Sequence, residues 1–183
     1  MSRPAHRADG ATRLRPAGAL ALLLVLAACA SSPPLPRVQS LTSASPAQML
    51  AHIDAVAGDG TGELMVQPLR DPGVEDLRQR AERLRDQGRL GDAAAALDQA
   101  MALVPGDPGL LQERAEVALL MSDFARAGEL AAQAQAIGSG VGPLCRRHWA
   151  TLEQARLVQG DAAGAESART EIERCRVARP PRW

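Results

Sequence analysis

Residues 74–107 read VEDLRQRAERLRDQGRLGDAAAALDQAMALVPGD, and residues 108–141 read PGLLQERAEVALLMSDFARAGELAAQAQAIGSGV. Laid over one another at a shift of 34, the two blocks match small on small and large on large. Leu77 falls on Leu111, Ala81 on Ala115, Leu90 on Phe124, Ala93 on Ala127, Ala100 on Ala134 and Leu103 on Ile137. Leu84 on Ala118 and Leu97 on Ala131 fit more loosely. Each block holds two amphipathic runs separated by a short break, Gln87-Gly88-Arg89 in the first and Met121-Ser122-Asp123 in the second. Apolar residues at helical spacing on both sides of a breaker predict a helix hairpin. The second block opens on Asp107-Pro108, a cap followed by Pro at the first helical position.

A third block follows after a slip of four residues, with Trp149 on Leu111 at a shift of 38. Leu152 comes next, Gly160-Asp161 makes its turn, Ala165 takes the small position of the second helix, and Ile172 replaces the second Ala. The extra residues fall in Gly138-Ser139-Gly140-Val141-Gly142-Pro143, which reads as a non-helical connection. This period and pattern resemble the tetratricopeptide repeat. The residues that carry the resemblance are Ala81, Gly88, Ala93, Ala100 and Pro105; Ser139 and Ala131 depart from it in the second block. The resemblance implies an all-α fold, a short α-solenoid of repeats at 74–107, 108–141 and a degenerate 142–176. Ala93 and Ala127 are then expected where two helices approach closely, with the large residues filling the space between repeats.

In that family the first helix of each repeat lines a concave groove that binds peptides or helices. Carried onto this chain, the groove positions are Arg78, Glu82 and Arg85, then Gln112, Glu116 and Leu119, then Ala150, Gln154 and Leu157. Members that bind peptide termini use Lys and Asn there, and this chain contains neither residue type. A mixed Arg/Glu groove with an apolar end fits a folded or helical protein partner better.

Composition agrees with helices. All 21 basic residues are Arg, against 21 acids, so the formal charge is zero and a strongly basic nucleic-acid binder is excluded. Hydrophobic residues make up 46% but aromatics only 2%, mostly through Ala and Leu, which favours close-packed helices over a sheet sandwich. His52 and His148 stand in no metal-ligand spacing, and His148 reads as a surface or groove residue. Nucleophile, phosphate-loop and zinc motifs are missing, so no metal, cofactor or enzymatic activity is expected. Glu75-Asp76 and Glu171/Glu173 read as helix-end and solubility charges.

The N-terminus carries its own signal. Arg3, Arg7, Arg13 and Arg15 precede an uncharged apolar run from Ala17 to Ala28. Twelve helical residues span roughly 18 Å, too short for a bilayer core, so the run is a signal-peptide h-region. Its end, Leu26-Ala27-Ala28-Cys29, resembles the lipobox of bacterial lipoproteins. That resemblance implies cleavage of residues 1–28 and acylation of Cys29, hence a lipid bilayer as partner. Ala30-Ser31 after the Cys suggests the outer membrane, facing the periplasm. Processing leaves 17 Arg against 20 acids. Residues 29–45, with Ser31-Ser32-Pro33-Pro34-Leu35-Pro36, read as an extended tether.

Within 46–73, Ser45-Pro46-Ala47-Gln48 reads as a capping box opening a helix over 46–57 that Gly58 stops. Glu63 to Leu69 reads as an extended piece, lying on the first repeat or offered to a partner. Residues 177–183 form a basic tail. An oxidising periplasm leaves Cys145 and Cys175 as a candidate disulfide, since an antiparallel hairpin returns its end beside its start. The function expected is a membrane-anchored adaptor that holds a periplasmic or membrane protein in an envelope assembly or maintenance machine. A pilotin-like or pilus-assembly role and a cofactor of a cell-wall synthesis enzyme are the alternatives.

Overall fold

The structure, a computed structural model, describes residues 39–60 and 71–176. The chain divides into two units, 1–37 and 38–183, and every described residue lies in the second. The signal segment, Cys29, most of the tether, the 63–69 piece and the basic tail therefore lie outside the described residues. Among the described residues there are seven helices and no strand. They are α1 (Pro46–Ala57), α2 (Pro72–Asp86), α3 (Leu90–Leu103), α4 (Pro108–Leu120), α5 (Phe124–Ile137), α6 (Gly142–Val158) and α7 (Ala162–Arg174).

The caps set these bounds. The Ser45 hydroxyl accepts from Gln48 N at 3.3 Å and Gln48 Oε1 accepts from Ser45 N at 2.8 Å, a closed capping box for α1. Asp71 Oδ1 accepts from Gly73 N at 2.8 Å ahead of α2, and Asp107 Oδ1 from Leu110 N at 3.0 Å ahead of α4. The hairpin turns need a left-handed residue: Gly88 (φ 72°), Ser122 (φ 63°) and Gly160 (φ 73°) occupy the same place in successive hairpins. Ser122 carries there a strain the glycines avoid. One sequence boundary moves, because Gly142 and Pro143 form the first turn of α6, where Pro gives up no helical hydrogen bond.

Hairpins α2–α3, α4–α5 and α6–α7 stack side by side into a short solenoid. Val74, Ala81, Leu97, Ala100, Leu110 and Val117 fill the space between the first two. Leu111, Ala115, Leu130, Ala134, Leu152 and Ala168 fill the next. Ala93 and Ala127 are both 0% exposed. Small side chains set the spacing: a Cβ on Gly128 of α5 would stand 3.3 Å from the Ala155 methyl of α6. Ala93→Leu or Ala127→Leu is therefore expected to cost roughly 1–3 kcal/mol by overpacking, and a thermal melt no lower than wild type would contradict this packing.

The repeat pattern overreaches at two positions. Leu103 and Ile137 align as core residues, yet they are 60% and 54% exposed. They sit in the last turns of α3 and α5, beyond the reach of the next hairpin.

Candidate functional site

The first helices of the hairpins, α2, α4 and α6, line one face of the solenoid. α1 lies on that face, against α6 and α4. Arg146, at the start of α6, donates from Nε and Nη2 to the Ala57 carbonyl at 2.9 and 2.7 Å and so holds the C-terminal end of α1. At the other end, Leu41 N donates to the Leu157 carbonyl at 2.8 Å. α1 thus runs antiparallel to α6. Met49, Ile53 and Ala57, spaced by four, turn inward and are 2%, 0% and 2% exposed.

Most of the expected groove is therefore already filled. Gln112, Glu116, Leu119, Ala150 and Gln154 are buried, and Leu119 and Ala150 pack with Met49 and Ile53. The physical reason is the apolar stripe of α1, which needs cover and finds it on the face that repeat-to-partner analogy leaves open. Leu157 is half-buried at the rim. Arg78, Glu82 and Arg85 on α2 remain accessible to different degrees: Glu82 is exposed, and the other two are half-buried.

Beneath and beside α1 runs a polar network. Arg147 grips Glu116 through two bonds, Nε to Oε1 and Nη2 to Oε2 (3.0 Å for the second), and reaches Asp54 of α1 at 2.5 Å. The Gln112 amide donates to Glu116 Oε1 at 2.9 Å and to the Thr151 hydroxyl at 2.8 Å. Thr151 in turn donates to the Arg147 carbonyl at 2.9 Å. On the far side, Glu153 accepts from Arg169 at 2.7 Å and faces His52 Nε2 of α1 at 3.3 Å. Burial works against the Arg147 cation, and the bonds and charges of Glu116 and Asp54 outweigh it, so its pKa rises above the usual arginine value.

His148 is not at the surface. It is 1% exposed, with Nδ1 at 2.7 Å from Gln112 Oε1. Since the Gln112 amide nitrogen is a donor twice over, its oxygen accepts, and His148 Nδ1 carries the proton. Nε2 is then a bare, buried acceptor with no partner among the described residues. Burial first, and the Arg147 charge second, lower the His148 pKa from 6.5 to about 4. An unfolded chain thus binds more protons than the folded one between these values, so stability falls as pH drops through that window. The expected loss is about 2 kcal/mol by pH 5. His148→Gln, which keeps a donor for Gln112, is expected to flatten the dependence of melting temperature on pH between 6.5 and 5; an unchanged slope would assign the acid sensitivity elsewhere.

The concave face is still open between α2 and α4. A cleft of about 450 Å³ is lined there by Arg78, Gln79, Glu82 and Arg85 of α2, Glu113 of α4, and Arg147 of α6. Arg78 spans it, bonding Glu113 Oε2 at 2.9 Å and Glu75 Oε2 at 3.0 Å. Among the described residues the one ion pair of Arg85 is with Asp86, at 3.7 Å. Three or more potential metal ligands gather nowhere among the described residues, and no described helix is long and apolar enough to cross a membrane. The cleft offers charged and amide groups at fixed places, suited to recognition.

Cys145, in the first turn of α6, and Cys175, just after α7, are disulfide-bonded with Cα atoms 5.7 Å apart. Gly142 N also donates to the Cys175 carbonyl at 2.8 Å. The bond closes the last hairpin at its open end.

These features define an all-helical, solenoid-like domain with a polar concave cleft and its own helix seated beside it. No family model matches the chain, and no curated protein matches it. Among solved structures it is similar to the globular C-terminal domain of LpoP from P. aeruginosa: 32% identical, TM-score 0.54, covering 57% of this chain and 99% of that one. The helical region of this chain belongs to the family of that domain.

Proposed function

We propose that the protein is an adaptor anchored by acylated Cys29 in the outer membrane, facing the periplasm, which binds a protein partner through its open concave cleft. The hairpins serve as tetratricopeptide repeats at 74–107, 108–141 and 142–176. One observation carries the reading: α1 closes the groove over α4 and α6, and the cleft beside α2 stays open with Glu82 and Arg85 uncommitted to strong pairs. Of the alternatives, a cofactor of a cell-wall synthesis enzyme is the one favoured by the likeness to the LpoP domain. Nothing in the fold favours the pilotin-like role.

Two experiments test this reading. In detergent-solubilised envelope, wild-type protein is expected to co-purify a periplasmic or membrane protein that Glu82→Arg/Arg85→Glu loses. Equal capture by both removes the cleft from the account. Cys29→Ala is expected to leave unprocessed or soluble protein, while the wild type partitions into detergent. A variant that still takes up fatty acid and stays with the membrane overturns the anchor. For the cell-wall alternative, the purified protein should raise the polymerisation rate of a membrane-bound cell-wall synthase from the same cell, and no change in rate rejects it.

A further inference from the structure

The open cleft is a charged rim over an apolar floor. Ala81, Leu97, Val117 and Leu144 make the floor, and the walls bring four carboxylates to it: Glu75, Glu82, Glu113 and Glu116. Three guanidiniums stand among them, and each already meets acid. Arg78 holds Glu113 and Glu75, Arg147 holds Glu116 and Asp54, and Arg85 lies 3.7 Å from Asp86. With Asp54 and Asp86 the site has six acids against three arginines, a formal excess of three negative charges. The acids are not matched one for one. Glu82 is exposed and makes no ion pair or hydrogen bond among the described residues.

Neighbouring cations do not cancel this excess. Arg80 and Arg83 are exposed and leave α2 roughly 160° and 100° of helix turn away from Glu82. Arg114 of α4 is turned away from the cleft, to Asp98 of α3 at 2.9 Å. Residues 58–71, which join α1 to α2, hold Asp59, Glu63 and Asp71 against Arg70.

We propose that the cleft receives a basic segment of the partner protein, with one arginine or lysine side chain set beside Glu82 and its aliphatic stem on the floor of Leu97 and Val117. This deepens, and rests on, the reading of the cleft as the protein-binding surface. Long basic side chains lay their stems on apolar surface while the charged head stays with polar groups. An arginine adds a forked, charge-assisted pair of bonds to the Glu82 carboxylate. An acidic segment fits worse: it meets a net negative rim, and Arg78 and Arg147 would have to leave close pairs to receive it. An apolar segment would take Glu82 out of water with no donor in return. At about 450 Å³ the cleft has the size of a small-ligand pocket, room for a few side chains, and the rest of the segment lies across the rim.

The test uses the full chain as isolated from cells, carried in phosphatidylcholine nanodiscs, and three synthetic nine-residue peptides read by fluorescence anisotropy. The peptides differ at two positions, which hold arginine, its neutral isostere citrulline, or glutamate. Two arginines let one reach Glu82 in either direction of docking. The arginine peptide is expected to bind at least about tenfold tighter than the citrulline peptide, and the glutamate peptide weakest. Glu82→Gln, at an exposed position, is expected to keep the wild-type melting temperature and to weaken the arginine peptide about fivefold, the upper range for an exposed ion pair. Glu129→Gln removes an exposed acid of α5 outside the cleft, and is expected to shift that affinity less than about twofold.

Equal affinity for the arginine and citrulline peptides overturns the proposal, as does tightest binding of the glutamate peptide or no binding of any of the three. A loss on Glu82→Gln no larger than on Glu129→Gln also overturns it, since the attraction is then diffuse. The probes are synthetic, so the result does not depend on a captured partner. Envelope capture that Glu82→Arg/Arg85→Glu loses, with no preference for arginine, fails this inference and spares the adaptor reading. Preference for arginine, with capture that the double variant leaves intact, upholds the chemistry of the cleft and removes it from the adaptor reading.

Discussion

Arg147→Met is expected to lower stability by about 3–4 kcal/mol, or roughly 10 °C in melting temperature. The Glu116 side chain is only 3% exposed, and Arg147 is its counter-ion and double donor. Without it the carboxylate keeps a single donor among the described residues, the Gln112 amide, in a site closed by α1. Removing one partner of a buried pair costs more than the pair contributes, because the remaining charge stays out of water. The partial exposure of Arg147 itself, 29%, places the effect at the lower end of what buried pairs show. Arg147→Lys keeps charge but loses the forked geometry, so an intermediate loss follows. Arg147→Met/Glu116→Leu removes both charges and is expected to recover most of the stability. A single variant that melts within about 2 °C of wild type would show that water reaches Glu116 freely.

Reduction of the Cys145–Cys175 bond, or Cys145→Ser/Cys175→Ser, is expected to cost about 3–4 kcal/mol for a closed loop of this length. The sequence separation is 30 residues and the Cα–Cα distance of 5.7 Å suits an unforced bond. The loss falls on α6–α7, a hairpin whose outer face has no further hairpin against it among the described residues. In a stack with nearest-neighbour contacts, the terminal unit opens first when its own closure is weakened. Hydrogen exchange should show α7 losing protection before α2 and α3 do. Thiol titration of the unfolded, non-reduced protein is expected to find neither Cys145 nor Cys175 free; two reactive thiols would sink the assignment.

Much of the helical architecture is legible in the chain. A shift of 34 residues superposes side chains that turn out to share the same burial, such as Ala93 with Ala127 and Ala100 with Ala134. Caps are legible because they are local: Ser45 with Gln48 needs only three intervening bonds of sequence to explain. The seat of α1 is not local. Met49, Ile53 and Ala57 declare that the helix must bury a stripe, but nothing nearby says against what. Gln112 and Glu116 read as water-facing or partner-facing because polar residues usually are, and their partners Thr151 and Arg147 stand 39 and 31 positions away. The available signal was the mixed face itself: Leu119 sits three residues after Glu116, an apolar residue on a supposedly open groove. His148 fails for the same reason, since its environment is made by α4, α5 and α6 together. Leu103 and Ile137 err the other way. Periodicity records a helix face, and it does not record where the neighbouring helix stops.

The direction of α1 on α6 also decides how the molecule carries mechanical load. Any pull on the residues preceding Gln39 enters the fold at Leu41 and the first turn of α1, where the chain meets the end of α6. From there the force passes sideways into α4 and α6 through Met49 and Ile53, and through Arg147 and Arg146. It need not travel onward along the covalent chain into α2. The cleft side chains of α2 thus sit in slack, downstream of the clamp. Drag on the tether strains the middle hairpin and the last, the latter braced by the disulfide, and meets the cleft only at its α4 and α6 wall, through Arg147, while the α2 wall is spared.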